Sequence, residues 1–262
     1  SEYMKILSKI KYILLVPFIG IILCVLAWSA ADAFSYQALL HERQWITERG
    51  LKNKRQWDAA VKWSKLAMRF DPYNPNYPEM LGRLHFWRFF IEDAPIASQQ
   101  EATSVTNQGM SYLQDSIAMR PTWPRAWASM LQLKSVSGQI DYEFEQIWDK
   151  AVELGDWEPE VQRVLLEAGL IHWARSSPLL PQKTVAMFVA MTSKPFSESR
   201  AISAVDRIGA WPLVCDVLVD PILTPPRMRQ ICRELLQQKP IPLQALPAPK
   251  EKAVEEEVEI TN

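Results

Sequence analysis

Trp57-Asp-Ala-Ala60-Val-Lys-Trp63-Ser-Lys-Leu-Ala67-Met-Arg-Phe-Asp71-Pro72 is the stretch whose reading decides the fold. Ala60 and Ala67 stand seven residues apart, two helical turns, and so share one face of a helix. Small residues there let a partner helix approach closely, and Pro72 cannot continue the helix. The stretch reads as the second helix of a pair. Leu81-Gly82, further on, supplies another small residue where the first helix of a following pair needs one. Scaffolds of this kind bind partners and rarely do chemistry.

The signature is that of a tetratricopeptide (TPR) repeat, a helix pair with a period of about 34 residues. Around it we expect three repeats. The first pairs a helix over 33–55, ending near Gly50, with one over 56–70. The second opens at Pro75-Asn-Tyr77-Pro78, where Pro78 replaces the usual tryptophan. Glu92-Asp93-Ala94-Pro95 then breaks its helix, and the closing Arg120-Pro121 comes 49 residues after Pro72. The excess predicts an insertion of about fifteen residues over 90–106. The third opens at Thr122-Trp123-Pro124, turns at Gly138 and returns at Tyr142. Ser116 and Ala151 are 35 residues apart, close to the period. A less regular helical set follows, with a helix over 159–175 and shorter ones separated by Pro178, Pro181 and Pro195.

The expected fold class is therefore all-α, a TPR-like helical repeat (α-solenoid) with an N-terminal transmembrane helix. Its parts are an N-terminus over 1–11, the transmembrane helix over 12–34, repeats over 35–158, a helical cap over 159–239 and a tail over 240–262. The tail is rich in proline and then glutamate, a composition that cannot form a core and predicts disorder. Eight glycines against nineteen prolines argue against glycine-rich phosphate loops and a β-rich fold. The net charge of −1 gives no reason to expect nucleic acid as a partner.

Ile13 to Ala31 is nineteen residues without a charge, enough to cross a bilayer core of roughly 30 Å as a helix. Lys5, Lys9 and Lys11 precede it, and only Arg43 follows among the next seventeen residues. That asymmetry places the N-terminus in the cytoplasm and exports the rest. Trp28 falls near the outer end, where aromatic belts lie. The rival reading is a cleaved signal peptide, since Ala31-Asp32-Ala33 has the small-x-small form, although a signal's apolar region is usually about 7–15 residues. Cys215 and Cys232 would then sit in an oxidising compartment. They fall in helices expected over 198–219 and 225–238, the second started by Thr224 as N-cap and Pro225 in the first turn. Antiparallel packing would allow a disulfide; two separate buried thiols are the alternative.

His41, His85 and His172 are the only histidines. None has a second ligand at metal-binding spacing, and no nucleophile-elbow or phosphate-loop pattern is present. We expect no catalytic, cofactor or metal site. Asp141, Glu143, Glu145, Asp149 and Glu153 could supply paired carboxylates for glycoside hydrolysis, but they read as a wet helix face. The candidate site is the groove lined by the first helix of each pair. By register it presents Glu42, Trp45 and Arg49, then Glu79, Arg83 and Phe86, then Arg125 and Gln132. Arginines there would grip carboxylates, and aromatic faces would stack on a peptide or a sugar.

Four segments carry a family resemblance: Asn74–Trp87, Arg120–Ala128, Tyr142-Glu-Phe144-Glu, and Leu154-Gly155-Asp-Trp157-Glu158-Pro159-Glu160-Val161-Gln162. Over about 40–235 the chain resembles the VpsP family, TPR-like membrane-anchored proteins associated with bacterial exopolysaccharide biosynthesis. The resemblance implies polysaccharide synthesis or export at a Gram-negative inner membrane, and no catalytic residues. The implied partners are the membrane and protein components of that machinery, with the polysaccharide itself as a further candidate. Alternatives are a direct glycan-binding module using Trp45, Phe86 and Trp87, a general envelope assembly factor, and a polymer-modifying enzyme using Glu143 and Glu145.

Overall fold

The computed structural model describes residues 2–48, 50–173, 179–218 and 226–238, and among these every regular element is a helix, joined by short loops, with one isolated bridge between Leu51 and Ile91. Helix α1 (Glu2–Glu48) is continuous through Pro17. Its N-terminal part is long and apolar enough, by length and composition, to cross a membrane. Next come α2 (Lys54–Phe70), α3 (Asn76–Trp87) with a 3-10 turn over Arg88–Phe90, and α4 (Gln99–Met119). Then follow α5 (Pro124–Val136), α6 (Tyr142–Gly155), α7 (Pro159–Ile171), α8 (Leu179–Thr192) and α9 (Pro195–Ile208). A single turn α10 (Trp211–Leu213) continues as π-helix over Val214–Leu218, and α11 (Pro226–Gln238) ends the described chain.

Each boundary has a local cause. Asn53, Ser98 and Asp141 accept from the backbone N–H three residues on, capping α2, α4 and α6, which satisfies donors that a helix start leaves unpaired. Pro124, Pro159 and Pro195 open α5, α7 and α9, where a missing N–H costs nothing. The helix expected over 198–219 is not continuous. Gly209 takes φ 70° and ends α9, a left-handed cap that glycine adopts without steric cost. Pro181 separates nothing either: it lies in the first turn of α8. The expected insertion divides in two. Residues 91–98 form a loop and 99–106 lengthen α4. That loop is tied back to the first pair, since Glu92 N–H donates to Leu51 O (3.0 Å) and Asp93 Oδ1 accepts from Lys54 N–H (2.8 Å).

Helices α1 and α2, α3 and α4, and α5 and α6 pack as consecutive pairs. Ala60 and Ala67 are fully buried. The core falls into two main clusters. One joins the first two pairs through Trp45, Leu51, Val61, Leu81 and Leu84. The other runs from Leu113 through Phe144, Trp148 and Leu165 to Phe188 and Val205. Gly82 leaves no room for a side chain between α3 and α4, since a Cβ there would lie 2.3 Å from Leu113 Cγ. Gly82→Val is therefore expected to lower the unfolding free energy by about 1–3 kcal/mol through overpacking. Denaturant unfolding in detergent measures it, and Leu113→Ala in the same chain should relieve part of the loss.

Cys215 and Cys232 are bonded, with Sγ atoms 2.00 Å and Cα atoms 5.3 Å apart, and this joins the π-helical turn to α11. Closing a loop of 17 residues contributes about 3 kcal/mol in the chain-entropy account. Arg49, Pro178, Thr224, Pro225, the tail over 240–262 and the side chains of Lys5, Lys9 and Lys11 lie outside what the structure describes.

Candidate functional site

The residues expected to line a groove are largely engaged within the chain. Trp45 is fully buried, its ring 5.9 Å from that of Trp87. Phe86 is half-buried and packs against Phe90 at 4.9 Å. Arg83 holds Glu42 of α1 in a two-pronged pair, Nε to Oε1 at 3.0 Å and Nη2 to Oε2 at 2.8 Å. Its Nη1 donates to Glu79, one turn back, at 3.2 Å. Glu79 and Glu42 are buried, and Arg120 Nη2 reaches Glu79 at 3.4 Å from the end of α4. Burial alone would lower the Arg83 pKa, but the two carboxylates outweigh it and hold it above the ordinary value. The network fastens α1, α3 and α4 together.

Arg125 pairs with Glu158 across the α5–α7 junction. Arg120 and Arg125 lie over the ring of Trp123, 3.9 Å and 5.7 Å from its centre. Gln132 is half-buried on α5. The carboxylate row is also engaged. Asp141 and Glu143 bond Lys134 at 2.9 Å and 2.6 Å, Asp149 pairs with Lys183 at 2.7 Å, and Glu153 pairs with Lys150 at 2.8 Å.

His85 sits between α3 and α4, its Nδ1 2.7 Å from Leu81 O and its Nε2 3.0 Å from Gln108 Oε1. A neutral ring donates at Nδ1 and accepts at Nε2 once the Gln108 amide is turned to present its N–H, an assignment the heavy atoms leave free. Burial lowers the His85 pKa, and the bonds to Leu81 and Gln108 do not offset it. The unfolded chain therefore binds more protons below the ordinary histidine value of about 6.5. Stability contributed by the neutral ring is complete above that pH and falls as pH drops below it. Unfolding free energies measured between neutral pH and pH 5 should fall more steeply for the native chain than for His85→Gln.

One open cavity of about 250 Å³ is lined by Asn107, Met110, Gln114, Lys134, Gln139 and Glu143. It is built by α4, the end of α5, the loop at Gly138 and the start of α6. It therefore lies beside the second helices of two pairs, away from the expected groove. Three carboxamides, each both donor and acceptor, surround a buried ammonium held by two carboxylates. That chemistry suits a ligand rich in hydroxyls. The volume is just below the roughly 300–1,000 Å³ typical of drug-sized ligands, so it has room for one sugar residue. Asn107, Met110 and Gln114 recur at helical spacing on one face of α4, but that face reads like any polar helix face, and its meeting with Lys134 and the loop at Gln139 is invisible in one sequence. Among the described residues no group of three or more His, Cys, Asp or Glu is placed to hold a metal ion.

Comparison with known proteins finds no protein-family model and no curated protein that matches the chain.

Proposed function

We propose that this chain is a non-catalytic scaffold, a TPR-like α-solenoid anchored by α1 in a bacterial inner membrane and presented to the periplasm. There it holds together components of an exopolysaccharide synthesis or export machine. The observation that carries the scaffold reading is the continuity of α1, whose apolar N-terminal part runs without a break into the first helix of the packed pairs. Ala31 is buried against Ala67 and Tyr77, and Asp32 Oδ1 accepts from the Tyr77 hydroxyl at 2.8 Å. The residues at the possible cleavage site thus belong to the fold, which favours an uncleaved anchor. The three lysines before the apolar stretch support a cytoplasmic N-terminus. Small residues at Ala60 and Ala67, both fully buried, and at Gly82, packed against Leu113 of α4, support the TPR-like reading. The sequence resemblance supports the polysaccharide context. Tethering raises the effective concentration of partners in the same membrane.

Purification of the full chain from detergent-solubilised membranes should carry along a polysaccharide synthase, polymerase or export component. Recovery of the chain with none of these, under conditions that keep such complexes intact, would sink the proposal.

The cavity favours a second reading, direct binding of a glycan. Full-length protein in detergent should then retain the polymer, and Gln114→Ala with Gln139→Ala should weaken retention. Equal retention by native and substituted protein would remove this reading.

A further inference from the structure

We infer that the turn between α2 and α3, residues 71–75 with Phe70 and Tyr73, is seated in the headgroup layer of the bilayer that α1 crosses. The inference rests on the proposed membrane-spanning role of α1 and adds a second, peripheral lipid contact made by the folded domain.

The height of this turn is fixed by three contacts to α1. Ala31 packs against Ala67 and Tyr77. The Tyr77 hydroxyl donates to Asp32. The ring of Phe34 stacks on Trp63 at 5.6 Å and meets Phe70 at 5.5 Å. The end of α2 and the start of α3 are therefore level with residues 31–34 of α1, and no linker separates them from the apolar stretch.

Nineteen apolar residues, Ile13 to Ala31, rise about 28 Å as a helix. That fills a hydrocarbon core of roughly 30 Å, beyond which each headgroup layer adds about 5–8 Å. Residue 32 then lies at the boundary, and a turn level with residues 31–34 has no space to stand clear of the lipid. The residues exposed there match that environment. Tyr73 is 87% exposed, Phe70 is 44% exposed, and Trp28, one turn below on α1, is 56% exposed. Aromatic rings with one polar edge concentrate at the headgroup level. Arg69, exposed on the last turn of α2, can extend its guanidinium to lipid phosphate. A single exposed tyrosine is ordinary on a soluble protein; here the depth set by Asp32 and Phe34 gives it an occupant.

The test uses full-length protein carrying Cys24→Ala, reconstituted in phosphatidylethanolamine–phosphatidylglycerol vesicles. A fluorophore is placed at one introduced cysteine: Tyr73→Cys, Ile22→Cys within the apolar stretch, or Tyr142→Cys at the far edge of the pairs. Tyr142 starts α6, a helix length or about 20 Å from the turns. Headgroup-spin-labelled lipid should quench the label at position 73 at least about twofold more than the label at 142, and acyl-chain-spin-labelled lipid should quench the label at 22 most. Strong quenching at 22 with equal quenching at 73 and 142 overturns the headgroup seat and leaves the anchor standing. No quenching at 22 overturns the anchor, and the seat with it.

Discussion

Arg83→Met is expected to lower the unfolding free energy by about 3 kcal/mol, the lower end of the roughly 3–5 kcal/mol that removing one partner of a buried ion pair costs. The lower end applies because the Arg83 side chain is 30% exposed, whereas its partners Glu42 and Glu79 are 9% and 5% exposed. Without the guanidinium both carboxylates stay in a site that water barely reaches. Arg120 is a weak substitute, since it reaches only Glu79 and only at 3.4 Å. The cost belongs to the stranded charges and not to a missing attraction. The triple variant Glu42→Leu, Glu79→Met, Arg83→Met should therefore recover most of the loss, because well-packed apolar groups often replace such a network without penalty. Denaturant unfolding in detergent decides it. A loss below about 1 kcal/mol for Arg83→Met, the scale of a surface pair, would show the network to be solvated.

Asp141→Asn combined with Glu143→Ala is expected to cost a similar amount, about 3 kcal/mol, by the opposite arrangement. Here the cation is inside and the anions are at the surface: Lys134 is 3% exposed, its partners 54% and 53%. Removing both carboxylates strands an ammonium, whereas Lys134→Met leaves two carboxylates already open to water and should cost no more than about 1 kcal/mol. Asn at 141 still caps α6, so the loss is not a capping loss. Lys134→Met added to the double variant should restore stability, and failure to restore it would sink the account. The same pair predicts acid sensitivity. Burial raises the Asp141 pKa, but hydrogen bonds from Lys134 and the Phe144 N–H outweigh this and leave it lowered. A carboxylate with a lowered folded pKa contributes stability above its unfolded value of about 3.9, and that contribution is lost as pH falls through the folded value.

The helices around Ala60, Leu81-Gly82 and Gly138 were legible because each carries a local cause: a small residue on one face, a cap or a proline. The break at Gly209 was equally local, a glycine with Pro212 three residues on, but the apolar run from Ala210 to Cys215 reads as a continuing helix and hid the left-handed cap. The groove residues were legible as helix positions and misleading as a surface. Register placed Glu42, Glu79 and Arg83 on neighbouring first helices, and that same proximity lets them neutralise one another. A charge pattern cannot tell a waiting site from a satisfied network, because the difference lies in distances across helices. The Asn107–Gln114–Gln139 cavity was not legible for the same reason.

The unbroken length of α1 also has a mechanical meaning. Its 47 residues make a rod about 70 Å long; in the proposed anchoring no joint would separate lipid from the packed pairs, and the turn at Tyr73 would serve as the fulcrum. Spanning helices answer a change in bilayer thickness by tilting. Through a rigid rod, a tilt of about 10° would carry a point about 40 Å out by about 7 Å. For the proposed scaffold, the spacing between the partners it would hold would then follow the thickness of the bilayer.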